Sequence, residues 1–396
     1  MTAQQVTGFQ AAGLHAGLKS GGEKDMALLV SDRPSHAAGV FTTNRVKAAP
    51  VLYDQALIEA SGARMRAVVA NAGNANACTG ERGMANARAM AERAAEAIGC
   101  QPDEVLVLST GVIGVQLPMD IVLSGIDRLA GSLRPDGWEE AAQAIMTTDT
   151  RPKVASLTTG RGYTITGIAK GAGMIAPHMA TMLAVIATDA DVPPPALQNA
   201  LRQAVDRSFN RIVVDGDMST NDTVLLLANG ASGVAIGEDD PDFQRALDDV
   251  CETLAKAIVR DGEGATKFVT VVVTGAPDEA SARTVARSIG TSPLCKTAFY
   301  GADPNWGRIL CAAGYSGVEV EPERLSLWLL DSEGREALQL VADGEPADYD
   351  EAAAIRLMQT PEWGLRLDLG LGEASTWLWT CDLSHEYITI NGHYRT

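Results

Sequence analysis

The sequence predicts an α/β (α+β) protein, with a large layered sheet-and-helix domain followed by a smaller α+β domain. Three observations support this class: short apolar runs typical of buried strands, amphipathic helical stretches between them, and a change of composition after Gly275. The chain has 396 residues, whereas a single hydrophobic core stops growing near about 250–300 residues. We place the boundary near residues 276–290, which gives predicted domains of 1–280 and 281–396.

The predicted strands are short runs rich in aliphatic and β-branched residues, a composition that suits a buried sheet. In the first domain and at its end they cover 26–30, 67–70, 105–108, 183–187, 223–228 and 268–273. Residues 325–330 open a second group of strands. In that group Leu365, Leu367 and Leu369 alternate with polar residues, as in a strand with one solvated face.

Helical periodicity separates these strands, and each apolar stripe predicts a face packed on the core. One stripe ends at Gly99, a typical residue for a helix C-terminus, and another begins at prolines 193–195, which suit a helix N-terminus. The stripes contain Met84, Ala87, Ala91, Ala94, Ala95 and Ile98; Leu197, Leu201 and Val205; and Leu247, Val250, Leu254 and Ile258. The polar stretch 276–290 is also predicted to be helical.

The net charge of the chain argues against two classes of binding partner. Thirty-two basic and fifty acidic residues give a formal net charge of −18, which repels a phosphate backbone or an anionic membrane surface. We therefore expect no nucleic acid and no membrane as partners. The opening MTAQQVTGFQAAG lacks the features of a signal peptide, and no apolar run approaches the roughly 18 residues of a membrane span. A cytoplasmic location is expected.

Cysteine spacing and short motifs give no indication of a metal or a nucleotide. The six cysteines are scattered without a CxxC pair, which predicts reduced residues used for apolar packing. DGDMSTND (215–222) spaces its carboxylates like a calcium loop, but Thr220 and Leu226 occupy the positions that require glycine and glutamate. KGAGM (170–174) lacks the spacing of a phosphate-binding loop.

Thr181 lies where a loop broken by Gly171, Gly173 and Pro177 gives way to the predicted strand 183–187. If its hydroxyl attacks the preceding carbonyl of Ala180, the chain breaks and Thr181 gains a free α-amine. Such an amine has a pKa near about 8 and can act as the base for its own hydroxyl. From spacing alone, the β propensity of threonine is the favoured explanation of this position.

Longer motifs favour the nucleophilic interpretation of Thr181 over strand propensity. KGAGMIAPHMATMLA (170–184) resembles the self-cleaving site of the ornithine acetyltransferase family, also called the glutamate N-acetyltransferase family. Further family motifs follow in the same order along nearly the whole chain: NAGNANACTG (71–80), STGVIG (109–114), MTTDTRPK (146–153), DGEGATK (261–267), DPNWGR (303–308) and DLSHEYITINGHYRT (382–396). The resemblance implies a catalytic domain similar to those of N-terminal-nucleophile enzymes.

The resemblance also implies an activity. Members of the family cut themselves before the nucleophile, here between Ala180 and Thr181, and the α and β chains stay together, usually as an α2β2 heterotetramer. Thr181 then carries the acetyl group from N2-acetyl-L-ornithine to L-glutamate, which gives L-ornithine and N-acetyl-L-glutamate in arginine biosynthesis. No cofactor or metal is implied. Some members also use acetyl-CoA as a co-substrate, and the sequence leaves that second activity open.

Family roles carry over to individual positions. Thr110 and Gly111 resemble the oxyanion pair, a side-chain hydroxyl and a backbone N–H that stabilise the tetrahedral intermediate. Thr147 resembles a substrate-binding threonine, and Lys170 resembles a lysine whose charge suits a substrate carboxylate.

The remaining substrate contacts resemble residues of the family's second half. Glu263 suits the cationic amine of ornithine, and Asn391 and Thr396 are contacts from the end of the chain. Two alternatives stay open from the residues alone. One is an N-terminal-nucleophile aminopeptidase or amidase, in which water replaces the amino-acid acceptor, and the other is a non-catalytic small-molecule-binding protein.

Overall fold

Two β-sheets, each within its own unit of the chain, form the fold of this computed structural model, which describes residues 3–62, 64–176 and 182–393. The first unit contains the described residues up to 210 together with 217–258, and the second contains 211–216 and the described residues from 259 onward. The unit border therefore precedes the strand at 268–276, whereas the predicted domain border follows it. The domain division stays a prediction.

The strands are, in chain order, β1 (Phe9–Leu14), β2 (Met26–Phe41), β3 (Met65–Asn74), β4 (Val105–Val112), β5 (Lys153–Thr158), β6 (Thr164–Lys170), β7 (Leu183–Thr188), β8 (Ile212–Val213), β9 (Thr223–Ala228), β10 (Phe268–Ala276), β11 (Ser326–Leu330), β12 (Glu336–Ala342), β13 (Glu345–Pro346), β14 (Glu362–Asp368) and β15 (Ala374–Cys381). The helices are α1 (Ala49–Ser61), α2 (Gly80–Ile98), α3 (Met119–Ala130), α4 (Trp138–Ala144), α5 (Pro194–Arg207), α6 (Pro241–Arg260), α7 (Glu279–Thr291), α8 (Pro293–Gly301), α9 (Trp306–Gly314), α10 (Glu351–Met358) and α11 (His385–His393).

Among the described residues, the first unit holds an eight-stranded sheet with the order β4-β3-β2-β9-β7-β6-β5, and β1 pairs with β2. The long strand β2 belongs to both halves of this sheet. Its residues from Met26 to Val30 pair with β3, and its residues from His36 to Phe41 pair with β9. The β2–β3 register shifts between Val30 and Ser35, Ser35 still pairs with Met65 of β3, and the pairing with β9 begins at the next residue, His36.

Alternating side chains of the first unit fill two different layers. Leu106 of β4 and Val185 of β7 belong to one apolar cluster, which joins both halves of the sheet. Val107, the next residue of β4, points to the opposite face and packs in a second cluster with helices α2 and α3. Strands with two buried faces account for the continuous apolar runs of the sequence. The layered α/β class is confirmed.

In the second unit, a seven-stranded sheet has the order β13-β12-β11-β14-β10-β15-β8 within the part of the chain that the structure describes. Its core lies on one face, where Val271 and Leu365 pack with apolar residues of helices α7 to α10. The predicted alternation at 365–369 is confirmed in β14, in which Arg366 and Asp368 are only partly buried. This unit is a smaller α+β layer pair.

Helix ends follow the predicted signals. Helix α2 ends at Gly99, which adopts the left-handed conformation and donates its N–H to the carbonyl of Ala95. Helix α5 begins directly after Pro193. Ala87, Ala91 and Ala94 are buried as the apolar stripe predicted.

The prediction for the cysteines is partly wrong. All six lie in the described ranges and are unpaired; Cys251, Cys295 and Cys381 are buried, but Cys78 and Cys311 are exposed and do not serve apolar packing. Every helix in the described ranges is too short or too polar to span a bilayer.

Candidate active site

The predicted oxyanion pair lies at the end of β4, the edge strand of the first unit. Thr110 is opposite Ala72 and Gly111 is opposite Gly73 in the parallel pairing of β3 with β4. Gly111 has φ +130°, and a Cβ atom there would lie 2.3 Å from the carbonyl carbon of Gly73. Since no other residue fits so close to the neighbouring backbone, this strand end requires glycine.

A buried asparagine ties this strand end to the turn before β9. Asn221 Nδ2 donates to the carbonyl oxygens of Ser109 and Ala75, at 2.7 Å each. Ser109 Oγ donates in turn to Asn71 Oδ1 at 2.7 Å. These bonds satisfy backbone groups that the sheet leaves unpaired, so they hold the ends of β3 and β4 in one position.

Asp222 follows Asn221 and holds the start of β7. Its Oδ1 accepts the backbone N–H of Met182 at 2.9 Å, and the Met182 carbonyl accepts the N–H of Thr223 at 3.1 Å. Met182 is the residue after Thr181, so the chain is fixed directly beyond the predicted nucleophile. Ala180 and Thr181 themselves lie outside the described residues.

Burial controls the charge of Asp222. Desolvation raises the pKa of this carboxyl well above its usual value, and the Met182 N–H, the positive charge of Lys170 and the hydroxyl of Thr42 offset only part of that rise. The carboxyl is therefore held toward its neutral form beside the start of β7.

Lys170 and Thr147, two predicted substrate contacts, are in contact with each other. Lys170 is the last residue of β6 and is only 2% exposed. Its Nζ donates to Thr147 Oγ1 at 3.4 Å. A cation and a hydroxyl are thus placed together at the strand end that leads toward β7.

Asp149 connects the segments that carry these two residues. Its Oδ2 accepts the N–H of Thr147 at 3.0 Å, and its Oδ1 accepts the N–H of Gly171 at 2.7 Å and forms an ion pair with Lys153 at 2.6 Å. Burial raises the pKa of the Asp149 carboxyl, but the charges of Lys153 and Lys170 and the Gly171 N–H outweigh it, so the net pKa lies below the usual value. The carboxylate is therefore held ionised.

In the second unit, Glu263 and Asn391 form a pair. Asn391 Nδ2 donates to Glu263 Oε2 at 2.7 Å and to the carbonyl oxygen of Tyr387 at 3.0 Å. Glu263 is 8% exposed. Ser384 Oγ donates to the Gly264 carbonyl at 2.6 Å, which fixes the loop of Glu263 to the segment before α11. Thr396 lies outside the described residues.

The structure therefore joins two pairs of predicted residues, Thr147 with Lys170 and Glu263 with Asn391, whereas Thr110 and Gly111 are neighbours in the chain. Their catalytic and binding roles stay predictions. Sequence reasoning missed Asp149, Asn221 and Asp222, which position the others. The available signal was the polar run ahead of the predicted strand 223–228, where buried backbone ends need polar partners.

Within the described ranges, no group of three or more His, Cys, Asp or Glu side chains is arranged to hold a metal ion. The side chains of Asp149 and Asn221 are instead engaged with backbone groups and, for Asp149, with Lys153.

Buried titratable groups with shifted pKa values, such as Asp149 and Asp222, cluster at functional sites, so this layered α/β fold carries the kind of site that enzymes have. The model of the ArgJ family matches residues 10–396. The chain therefore belongs to the ArgJ family, and the protein is an acetyltransferase enzyme of arginine biosynthesis.

Individual relatives agree with this assignment. The chain is 52% identical over 398 residues to the arginine biosynthesis bifunctional protein ArgJ of Symbiobacterium thermophilum, covering 98% of this chain and 97% of the relative. It is 49% identical over 399 residues to the arginine biosynthesis bifunctional protein ArgJ of Geobacter sulfurreducens, and this match covers 99% of this chain and 100% of the relative. The crystal structure of the ArgJ protein from Bacillus halodurans is 40% identical, with a TM-score of 0.48, and covers 52% of this chain and 96% of that one.

Proposed function

We propose that this protein transfers the acetyl group of N2-acetyl-L-ornithine to L-glutamate through an acetyl-Thr181 intermediate, after it has cut itself between Ala180 and Thr181. The observation that carries the proposal is the Thr110–Gly111 step at the end of β4. The backbone there requires glycine, and the two residues carry a hydroxyl and an N–H, the kinds of donor that an oxyanion needs.

Self-cleavage creates the nucleophile. The Thr181 hydroxyl adds to the Ala180 carbonyl carbon, and collapse of the adduct breaks the peptide C–N bond and leaves an ester on Thr181. Water then hydrolyses this ester, which gives the Ala180 carboxylate, the free hydroxyl and the α-amine of Thr181. The Met182 N–H bonded to Asp222 supports this step, because it holds the chain beyond Thr181 while the bond before it is attacked.

Acetyl transfer proceeds in two half-reactions. Thr181 Oγ attacks the acetyl carbonyl of N2-acetylornithine and its α-amine accepts the hydroxyl proton, while Thr110 Oγ and the Gly111 N–H stabilise the oxyanion. Ornithine leaves with that proton on its amine. The amine of glutamate then attacks the acetyl ester, and N-acetylglutamate leaves as Thr181 recovers its proton.

Charges in each unit support the substrate assignment. The Lys170 ammonium, placed against Thr147, suits an α-carboxylate, which both substrates carry. The Glu263 carboxylate, held by Asn391, suits the side-chain amine that only the ornithine substrate carries. Thr396 completes the proposed substrate contacts.

The cut gives an α chain of residues 1–180 and a β chain of 181–396, which we expect to stay together as an α2β2 heterotetramer in the cytoplasm. No cofactor is needed for the transfer. The relatives are named bifunctional, which supports acetylation of glutamate from acetyl-CoA as the second activity.

Gel electrophoresis and mass spectrometry test the cleavage. The wild-type protein should give fragments 1–180 and 181–396, Thr181→Ala should remain one chain, and Thr181→Ser should still cut because it keeps a hydroxyl. An intact wild-type chain with full activity would refute the proposal.

Steady-state kinetics test the transfer. Rates with N2-acetylornithine and glutamate should follow ping-pong kinetics, and the β chain isolated without glutamate should carry one acetyl group on Thr181. Ornithine release at the same rate with and without glutamate would instead identify a hydrolase.

A further inference from the structure

The loop between β1 and β2 is held by one buried carboxylate. Asp25, which is fully buried, accepts the backbone N–H groups of four consecutive residues from Ala16 to Lys19, at 2.6 to 3.1 Å. A nest of N–H groups closed on a carboxylate leaves the loop little freedom. The side chain of Lys19 is therefore directed from a fixed backbone.

The Lys19 ammonium connects this loop to the segment of Thr147. Its Nζ donates to the carbonyl oxygen of Met146 at 2.6 Å and to that of Lys24 at 2.9 Å. Met146 directly precedes Thr147, whose Oγ1 accepts from Lys170. The Met146 carbonyl and the Thr147 N–H belong to one peptide unit, so Lys19 on one side and Asp149 on the other hold the two ends of that unit.

The stem of Lys19 lies beside the predicted oxyanion strand. A Cβ atom at Gly73 would be 3.5 Å from Lys19 Cγ, which is ordinary van der Waals contact, and Gly73 is the residue opposite Gly111. The side-chain stem of Lys19 therefore lies on the side of Gly73 where a Cβ atom would project, while its ammonium donates to the Met146 carbonyl.

The environment of Lys19 is unlike that of a surface lysine. Burial lowers its pKa, and the charges of Asp25, Glu23 and Asp149 offset only part of that effect. No carboxylate of the described residues lies within ion-pair distance of its Nζ, and its hydrogen bonds go to backbone carbonyls. Ordering and partly desolvating a lysine in this way is costly, and its hydrogen bonds to the Met146 and Lys24 carbonyls offset part of that cost.

We propose that Lys19 is a positioning residue of the acetyltransferase site, which fixes Thr147 for substrate binding by holding the carbonyl of Met146. This inference rests on the proposed function, because it assumes that Thr147 contacts the substrate. Lys19 acts through Thr147 and need not touch the substrate itself.

The test compares Lys19→Met with Lys24→Met in the full-length protein. Methionine keeps a stem and removes the ammonium. Lys24 lies in the same loop, and its Nζ donates to the Gly13 carbonyl at 3.0 Å, so it is a matched lysine that does not contact the Met146 segment. Lys19→Met should raise the KM for N2-acetylornithine about tenfold with kcat nearly unchanged, and Lys24→Met should leave both near wild type.

A double-mutant cycle with Thr147→Ala separates positioning from a general structural role. If Lys19 acts through Thr147, then Lys19→Met should add little to the KM of Thr147→Ala, whereas unrelated effects multiply. Lys19→Arg, which keeps the charge and the donors, should recover part of the lost affinity, and Lys19→Gln, which lacks the charge, replaces Lys19→Met if the latter is unstable. An unchanged KM in the variant that lacks the charge, or fully independent effects in the cycle, would overturn the inference.

The two proposals fail differently. A wild-type protein that does not transfer acetyl from N2-acetylornithine refutes the proposed function. A wild-type protein that does transfer it, with Lys19 variants of normal KM, refutes only the role of Lys19.

Discussion

Gly111 lies opposite Gly73 across the parallel β3–β4 pair, so close that a Cβ atom on Gly111 would come within 2.3 Å of the Gly73 carbonyl carbon. Gly111 also has φ +130°, a conformation that L side chains rarely adopt. Sterics and backbone conformation therefore require the same residue at the position of the predicted oxyanion N–H.

We expect Gly111→Ala to lower kcat by about 10²–10³-fold, because the added methyl displaces a donor to the oxyanion. Steady-state kinetics on cleaved protein measure this effect. Gly114→Ala is the matched control, since Gly114 lies in the same motif at φ +80° but a Cβ atom there would meet no atom within 4 Å. Equal losses in both variants would show that backbone strain, and not the close approach to Gly73, is responsible.

Asp149→Asn should destabilise the protein by about 3–5 kcal/mol, because it leaves the buried ammonium of Lys153 without its carboxylate. Denaturant unfolding measures the loss, and Asp149→Asn with Lys153→Met should recover much of it. Glu252→Gln breaks a more exposed pair of the same i,i+4 spacing with Lys256 and should cost at most about 1 kcal/mol. Because the pKa of Asp149 is depressed in the folded state, the wild-type contribution is lost as pH falls below the ordinary aspartate range.

Asp54→Asn should flatten the pH dependence of stability. Asp54 is fully buried and accepts the Val107 N–H on the edge strand β4, and burial raises its pKa well above the usual value despite that bond. Above the ordinary aspartate pKa the unfolded chain releases this proton while the folded protein keeps it. The wild-type free energy of unfolding then falls by up to about 1.4 kcal/mol per pH unit until the folded pKa is reached.

Asparagine keeps the acceptor for the Val107 N–H and cannot ionise. As pH rises, the free energy of unfolding of the variant should therefore increase relative to that of the wild type. Urea unfolding at several pH values checks this. The exposed Asp249→Asn on α6 should show no such trend. Parallel curves for Asp54→Asn and wild type would mean that the Asp54 carboxyl does not hold its proton in the folded state.

If Glu263 binds the side-chain amine of the proposed substrate N2-acetylornithine, Glu263→Gln should raise the KM for that substrate about 10- to 100-fold and leave the KM for glutamate nearly unchanged, since glutamate has no cationic side chain. Separate titrations of the two substrates measure this difference. Glu386→Gln removes an exposed carboxylate of helix α11 and should change neither value. Equal increases for both substrates would assign Glu263 to a group that the substrates share.

Local sequence determined the elements whose signals are short-range. The strands at 183–187 and 223–228, the helix that ends at Gly99 and the helix that begins after Pro193 all follow from apolar pattern and capping chemistry. Less patterned elements escaped prediction. Strands β5 and β6 are rich in threonine and serine, and helix α4 spans only seven residues.

The motifs also identified the family and named Thr147 and Lys170 before their contact was known. The motifs did not identify the distant residues that hold Thr147 and Lys170 in place. Lys19 lies 127 residues from Met146, and Asp149 lies 22 residues from Gly171. No local pattern encodes such partners, because each contact exists only after strands from distant parts of the chain have paired.

By itself, the sequence determined the class of fold and the family and predicted the chemistry of each motif, since apolar periodicity and residue types are properties of short segments. Only the tertiary structure decided that Gly111 faces Gly73, that Asp222 holds Met182, and that Lys19 holds the Met146 carbonyl. The physical reason is that buried backbone groups and charges must be satisfied by whichever polar side chains the folded strands bring near them.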